Sequence, residues 1–227
     1  SKDVFANYVV QRLFDLVSAE DATRLAEALR GSIADLAQQT YGCRVVQKVI
    51  ECSQVPTPVK EALVAELGGS VLDCVRNQNG NHVIQKCIET LRPEGIQFIL
   101  EAFQGSVAEL ATHTYGCRVI QRVLEGCSPA QTRLIIPELV DAIVPLSKDQ
   151  YGNYVIQYVI ENDDSGTLSY RSAMIRGLRG HYADLSKHKF ASNVVEKCIV
   201  RSSPAELNEI VAELLSSPLL SPSSSVT

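Results

Sequence analysis

Six times along this 227-residue chain a small polar side chain is followed one residue later by a planar or amphipathic one, and four residues later by a carboxamide or carboxylate. The triplets are Asn7, Tyr8, Gln11; Cys43, Arg44, Gln47; Asn81, His82, Gln85; Cys117, Arg118, Gln121; Asn153, Tyr154, Gln157; and Ser192, Asn193, Glu196. Rings and guanidinium planes are surfaces on which nucleobases stack, each contact being worth about 1–3 kcal/mol. The flanking pair can address a base edge. Asn with Gln offers donors and acceptors to uracil, whose Watson–Crick edge runs acceptor, donor, acceptor. Cys with Gln leaves room, and its one amide serves adenine. Ionised Glu196 can only accept, and guanine alone presents two adjacent donors, so Ser192 with Glu196 points to guanine.

These triplets lie in six ungapped copies of one stretch: VFANYVVQRLFD from Val4, TYGCRVVQKVIE from Thr40, NGNHVIQKCIE from Asn79, TYGCRVIQRVLE from Thr114, QYGNYVIQYVIE from Gln150 and KFASNVVEKCIV from Lys189. Their lead residues, Asn7, Cys43, Asn81, Cys117, Asn153 and Ser192, are 36, 38, 36, 36 and 39 residues apart, a spacing that signals stacked repeats. At about 100° per residue, Val83, Ile84, Cys87 and Ile88 share an apolar arc, while Asn81, His82 and Gln85 share the polar one. Each full unit reads as three short helices. In the second copy these are Gly31 to Gln38, Tyr41 to Cys52 and Pro58 to Leu67, with Pro56 and Pro58 at the start of the third, where proline is tolerated. Leu36, Cys74, Leu110, Leu146 and Leu185 precede their lead residues by seven and support the register. Ala6, Gly42, Gly80, Gly116, Gly152 and Ala191, just before the lead residues, allow close helix approach. No strand pattern competes, and the expected fold is an all-α solenoid of about six repeats over residues 1–215, lined on one surface by the lead-residue helices. The first unit lacks its first helix, and residues 216–227, rich in Ser and Pro, read as a disordered tail or the start of a loop.

Hydrophobic residues make up 45% of the sequence, ample for a core, and no run reaches the roughly 18 apolar residues of a spanning helix. No secretion signal opens it. The seven cysteines form no CxxC pair, which disfavours a disulfide framework and a zinc site and suits a reducing cytoplasm. Cys87 and Cys198 fall on the apolar arc as small hydrophobes. A formal charge of −5 argues against a nucleic-acid partner. Distribution answers it in part, because Arg12, Arg44, Lys48, Lys86, Arg118, Arg122, Lys197 and Arg201 all fall on the lead-residue helices. Of these, Arg12, Lys48, Lys86, Arg122 and Lys197 are candidate phosphate contacts. The same helices carry acids, and Lys48 with Glu51, Lys86 with Glu89 and Arg122 with Glu125 are spaced for pairing within a helix.

The copies NGNHVIQKCIE, TYGCRVIQRVLE, QYGNYVIQYVIE and KFASNVVEKCI closely resemble the repeats of the Pumilio (PUF) RNA-binding family, over essentially Val4 to Leu215. The resemblance implies a right-handed α-solenoid of three-helix repeats that reads RNA one base per repeat. In that family Asn/Gln, Cys/Gln and Ser/Glu pairs read uracil, adenine and guanine, and the RNA runs antiparallel to the protein. Carried over residue by residue, this chain would read 5′-GUAUAU-3′ from the Ser192 unit back to the Asn7 unit. Family members usually have eight repeats, and the six here resemble the second to the seventh. An eighth would read the uracil 5′ of the guanine, giving the UGUA start typical of the family's targets. The resemblance further implies a monomeric cytoplasmic regulator of mRNA 3′ untranslated regions that recruits repressor or deadenylase proteins, with no cofactor and no membrane.

Plainer readings exist for each feature. The Asn/Gln pairs could hydrogen-bond adjacent helices, Tyr8, His82 and Tyr154 could pack between repeats, and the paired cations could be surface ion pairs. Phe5, Tyr41, Tyr115, Tyr151 and Phe190, two residues before their lead residues, read as packing. No HExxH, GxSxG, GxxxxGK[ST] or dinucleotide fingerprint suggests an enzyme. His113, His181 and His188 are isolated, and Asp163–Asp164 reads as a solvated turn. The competing class is a protein-binding solenoid of the armadillo or HEAT kind, which the acidic charge suits but which does not call for three correlated positions per repeat.

Overall fold

Three of the repeats open on a backbone turn that glycine adopts without strain. Gly31, Gly105 and Gly180 have φ of +78°, +78° and +83°. Two residues later begin the short first helices Ile33–Ala37, Val107–Thr112 and Tyr182–Leu185. Their first N–H groups have no partner within so short a helix, and in two of them a carboxylate near the end of the same repeat supplies one. Glu66 accepts from the N–H of Gly31 and Ile33 at 2.8 and 3.1 Å, and Glu213 from those of Gly180 and Tyr182 at 2.7 Å each.

A computed structural model of the protein describes residues 3–162 and 170–217. The Asp163–Asp164 pair and the Ser/Pro-rich stretch from 218 onward lie outside the described residues. The chain divides into two compact units, one ending at Ile135 and the other beginning at Ile136. In the first, the lead-residue helices Ala6–Leu16, Gly42–Glu51, Gly80–Thr90 and Gly116–Gly126 pack side by side in chain order. Behind them run Ala19–Glu27, Thr57–Val64 and Pro93–Phe103, with the single turn Pro129–Thr132 closing the series. In the second unit Gly152–Asn162 packs on Ala191–Arg201, with Ile136–Asp141, Tyr170–Gly177 and Pro204–Ser216 as further helices. Among the described residues every regular element is helical.

The boundaries differ from the sequence reading where backbone chemistry intervenes. In the second repeat the first helix shortens to Ile33–Ala37, because Gly31 is in the left-handed region. Its third helix stops at Val64 and continues as a tighter turn over Ala65–Ser70, where Gly68 and Gly69 weaken the α form. In the fourth repeat Pro137 has no N–H to give the Arg133 carbonyl, so the third helix is broken. The lead-residue helices keep their apolar arcs buried: Val83, Ile84 and Cys87 are fully buried and Ile88 is 4% exposed. Burial pushes the Cys198 thiol up to about 12, the behaviour of a packed hydrophobe rather than a nucleophile. Gly42 and Gly80 hold the first and second helices in contact: a Cβ on either would lie 2.6 Å from the carbonyl oxygen of Leu36 or Cys74, the residues that set the register.

Candidate nucleic-acid interface

In every repeat but the second, the N-terminus of the lead-residue helix is stitched down by a side chain just before it. Four residues before the lead position, an acceptor takes the two backbone N–H groups that open the helix. Asn77 Oδ1 accepts from Asn79 and Gly80 at 2.8 and 3.0 Å, and Asp149 Oδ1 from Tyr151 and Gly152 at 2.7 and 2.8 Å. Asp3 does the same for Phe5 and Ala6, and those bonds hold its carboxyl below the usual carboxylate range. His113 and His188, isolated in the sequence, act in the same place through Nδ1. Their common property is an acceptor atom, which a search by residue type passes over.

The lead asparagines complete the stitching from inside. Asn7, Asn81 and Asn153 are each 1% exposed. Asn81 Nδ2 donates to the carbonyls of Asn77 and Gln78 at 2.9 and 3.0 Å, and its Oδ1 accepts from Gln85 Nε2 at 2.9 Å. Asn153 repeats the pattern with Asp149, Gln150 and Gln157, and Asn7 with Asp3, Val4 and Gln11. As folded, each asparagine orients its glutamine, which stays half-buried at the surface. Where the lead residue is cysteine, Cys43 Sγ donates to the Thr40 carbonyl at 3.3 Å and Gln47 Nε2 to the Cys43 carbonyl at 3.1 Å. Cys117 donates to the Thr114 carbonyl at 3.7 Å, and Gln121 is half-buried beside it.

One residue on from each lead position, the side chains stand out into solvent: Tyr8 is 67% and Tyr154 61% exposed, and Arg44, His82, Arg118 and Asn193 are exposed as well. In the first unit they come close enough to feel one another. The His82 imidazole titrates below its ordinary value, first from partial burial and then from the positive charges of Arg44 and Arg118. Between the first two repeats Asn7, Tyr8, Gln11 and Arg44 border a hollow of about 410 Å³. Its far wall is Thr40, Tyr41 and Asn79. Tyr41, read from sequence as packing, therefore faces this space too. In the second unit Ser192 is half-buried and Glu196 exposed, and the Glu196 carboxylate has no hydrogen-bond or ion-pair partner among the described residues.

The candidate phosphate contacts sit one helical turn further on, and each is already paired with an acid. Lys48 pairs with Asp15, Lys86 with Glu51 at 2.6 Å, Arg122 with Glu89 at 3.0 Å and Lys197 with Glu161 at 2.5 Å, every bond crossing from one repeat to the one before. Arg12 reaches Asp15 within its own helix at 3.5 Å. Of the in-helix pairs expected from spacing, Lys86–Glu89 and Arg122–Glu125 form, whereas Lys48 turns to Asp15 and leaves Glu51 to Lys86. The Lys48 bond holds the Asp15 carboxyl below its usual range. These cations thus form a nearly neutral ladder that ties repeat to repeat. Among the described residues no group of three or more His, Cys, Asp or Glu could hold a metal ion, and no helix is long and apolar enough to cross a membrane.

The profile of the Pumilio-family RNA binding repeat matches the chain six times, over residues 1–30, 32–67, 70–102, 106–140, 142–167 and 181–215. The chain is 40% identical over 222 residues to Pumilio homolog 9 of Arabidopsis thaliana, covering 96% of this chain and 38% of that protein. It is 52% identical over 102 residues to Pumilio homolog 1 of Xenopus laevis, covering 45% of this chain and 9% of that protein. Among solved structures it superposes on the Puf3 RNA binding domain bound to a Cox17 RNA 3′ UTR recognition sequence with a TM-score of 0.83 and 43% identity, over 93% of this chain and 62% of that one. The RNA-binding domain of yeast Puf5p bound to SMX2 RNA gives a TM-score of 0.80 and 31% identity, over 94% and 63%. The chain spans less than two thirds of the length of each of these relatives.

Proposed function

The chain belongs to the Pumilio family of RNA-binding repeat proteins, and from that premise we propose that it binds single-stranded RNA one base per repeat, reading 5′-GUAUAU-3′ within mRNA 3′ untranslated regions. The order runs from the Ser192 repeat to the Asn7 repeat. Tyr8, Arg44, His82, Arg118, Tyr154 and Asn193 supply the flat surfaces between bases. The pairs Asn7 and Gln11, Cys43 and Gln47, Asn81 and Gln85, Cys117 and Gln121, Asn153 and Gln157, and Ser192 and Glu196 meet the base edges, with Gln11, Gln85 and Gln157 oriented by the asparagines beside them. The biological role is cytoplasmic repression of the bound messages by a monomer, with repressor or deadenylase proteins on the outer surface.

The observation that carries this reading is the hollow beside Asn7. There an exposed ring and a guanidinium flank a glutamine whose orientation is fixed by a buried asparagine. A group sandwiched between Tyr8 and Arg44 must be flat, and one that reaches Gln11 must carry donors and acceptors on its rim; a nucleobase has both properties. The solved relatives bound to RNA support the same ligand class. Mobility-shift titration of two oligomers tests it. The GUAUAU oligomer is expected to shift and one with its guanine replaced by cytosine to bind markedly more weakly. Equal binding of both, or of neither, overturns the reading in favour of a protein-binding solenoid.

A further inference from the structure

The turns that open the lead-residue helices are not all held alike. Where asparagine leads, the cap four residues earlier is a carboxylate or a carboxamide, Asp3, Asn77 or Asp149. Where Cys117 or Ser192 leads, it is the imidazole of His113 or His188. His113 Nδ1 accepts from the N–H groups of Tyr115 and Gly116 at 3.2 Å each, and His188 Nδ1 from those of Phe190 and Ala191 at 3.3 and 3.4 Å. A ring nitrogen accepts only while it carries no proton, so this geometry requires both imidazoles to be neutral, with their hydrogen on Nε2.

The histidine-capped turns also lean harder on their caps. Asn81 and Asn153 add amide donors to carbonyls of their own turns, at 2.9 and 3.0 Å and at 2.8 and 3.0 Å. Cys117 reaches the Thr114 carbonyl from 3.7 Å with a thiol, a weak donor. The same turn fixes where each reading pair starts. The N–H of Cys117 donates to the His113 carbonyl at 3.1 Å, and that of Ser192 to the His188 carbonyl at 3.0 Å. Releasing an imidazole therefore frees the backbone that carries Cys117 with Gln121, or Ser192 with Glu196, the pairs assigned to the third base and the first.

An imidazole that takes up a second proton becomes a donor at Nδ1 and meets the two backbone N–H groups donor against donor. Each ring has a carboxylate to attract it instead. Glu109, four residues before His113, and Asp184, four before His188, lie within electrostatic reach of their imidazoles. Arg76 pairs with Glu109 at 2.6 Å and Lys148 with Asp184 at 2.5 Å, and these bonds hold both carboxyls below their usual range, so they stay charged where a histidine titrates. The Tyr115 ring stands 5.7 Å from that of His113 and the Phe190 ring 6.0 Å from that of His188. Lys187 and Lys189 flank His188 in the chain, both exposed, with the Lys189 ammonium 5.1 Å from the centre of the Phe190 ring.

We propose that His113 and His188 are positioning residues for base reading that act only while unprotonated, so that acid loosens the grip on the third and first bases of the RNA and spares the base read by the Asp3-capped repeat. The proposal rests on the one-base-per-repeat reading and adds a proton to it. The RNA-holding form binds fewer protons than the released one, so affinity at these two bases is present above the histidine range and is lost as the pH falls through it.

Anisotropy titrations at about pH 7.5 and about pH 5.5, on either side of the ordinary histidine value, test it with GUAUAU and with the same oligomer made abasic at its first, third or sixth nucleotide. The readout is the ratio of intact to abasic affinity, position by position. In the unaltered protein this ratio is expected to fall about three- to tenfold on acidification at the first and third positions, the range of one hydrogen bond, and to hold at the sixth. His113→Asn and His188→Asn install the carboxamide that Asn77 uses in the same place. Each is expected to keep the base preference at neutral pH and to abolish the fall at its own position only, whereas His113→Ala shows the lowered ratio at the third position at both pH values. A ratio that ignores pH at the first and third positions, one that falls as much at the sixth, or a fall that survives the asparagine variants overturns the role of the caps and leaves the repeat code standing. Failure of the unaltered protein to prefer the intact oligomer over the abasic ones at neutral pH overturns the code itself, and the proposal with it.

Discussion

Changing Ser192→Asn, Asn193→Tyr and Glu196→Gln together should convert the guanine preference of the last repeat into a preference for uracil. Ser192 is half-buried at the start of its helix, in the place where Asn153 donates to the Asp149 and Gln150 carbonyls at 2.8 and 3.0 Å. An amide introduced there finds the equivalent His188 and Lys189 carbonyls within reach, and its oxygen can take the new glutamine as Asn153 takes Gln157 at 2.8 Å. Before the change, the Glu196 carboxylate stands exposed and unpaired among the described residues, able to accept two guanine N–H groups and facing repulsion from the uracil carbonyl oxygens. Afterwards the acceptor pair becomes one acceptor and one donor, and a ring replaces Asn193 as the stacking surface. Discrimination at a single base is worth about 1–3 kcal/mol, so the ratio of affinities for the G and U oligomers should reverse by about five- to 150-fold in each direction. Fluorescence anisotropy titration of GUAUAU against UUAUAU, with wild type and variant side by side, measures it. A triple variant that still prefers guanine would show that these side chains do not read the base, even if RNA binds.

Other consequences follow from the packing and the charges. Gly80→Ala places a Cβ 2.6 Å from the Cys74 carbonyl, and overpacking of this kind costs about 1–3 kcal/mol; an unchanged urea midpoint would mean that the two helices can part freely. Five uncompensated cations on a single strand would give a slope of log K against log salt of about −3.5. Because Arg12, Lys48, Lys86, Arg122 and Lys197 are already paired with acids, the measured slope should be shallower, and a slope that steep would contradict the ladder. His82 lies below its ordinary value of 6.5 in the fold. The unfolded chain therefore takes up the proton first, and stability present above that pH declines as the pH falls through the folded value. His82→Gln should flatten this part of the melting-temperature profile, and identical acid limbs for the two proteins would refute it.

The sequence made the repeat and its two faces legible because both are periodic. Val83, Ile84, Cys87 and Ile88 recur at helical spacing and are buried, while His82 and its counterparts recur on the other arc and are exposed. What could not be read there depends on register between repeats or on properties shared by unlike residues. Lys48 has Glu51 three residues away in sequence, yet stacking brings Asp15 of the preceding repeat to it. The helix caps escaped notice because Asp3, Asn77, His113, Asp149 and His188 look unrelated until the acceptor atom they share is placed beside two backbone N–H groups. The asparagines were legible as polar; that each also donates to carbonyls of the preceding turn depends on how that turn folds. Tyr41 was legible as aromatic, but that it borders the hollow depends on the loop before its helix.

Selection of RNA from a random pool by the whole chain tests the central claim most directly, since it imposes neither a base order nor a strand direction. The account predicts enrichment of GUAUAU in that 5′ to 3′ order, with the tightest constraint at the guanine. Recovery of no common element, or of one whose bases do not follow the order of the Ser192, Asn153, Cys117, Asn81, Cys43 and Asn7 repeats, would contradict it.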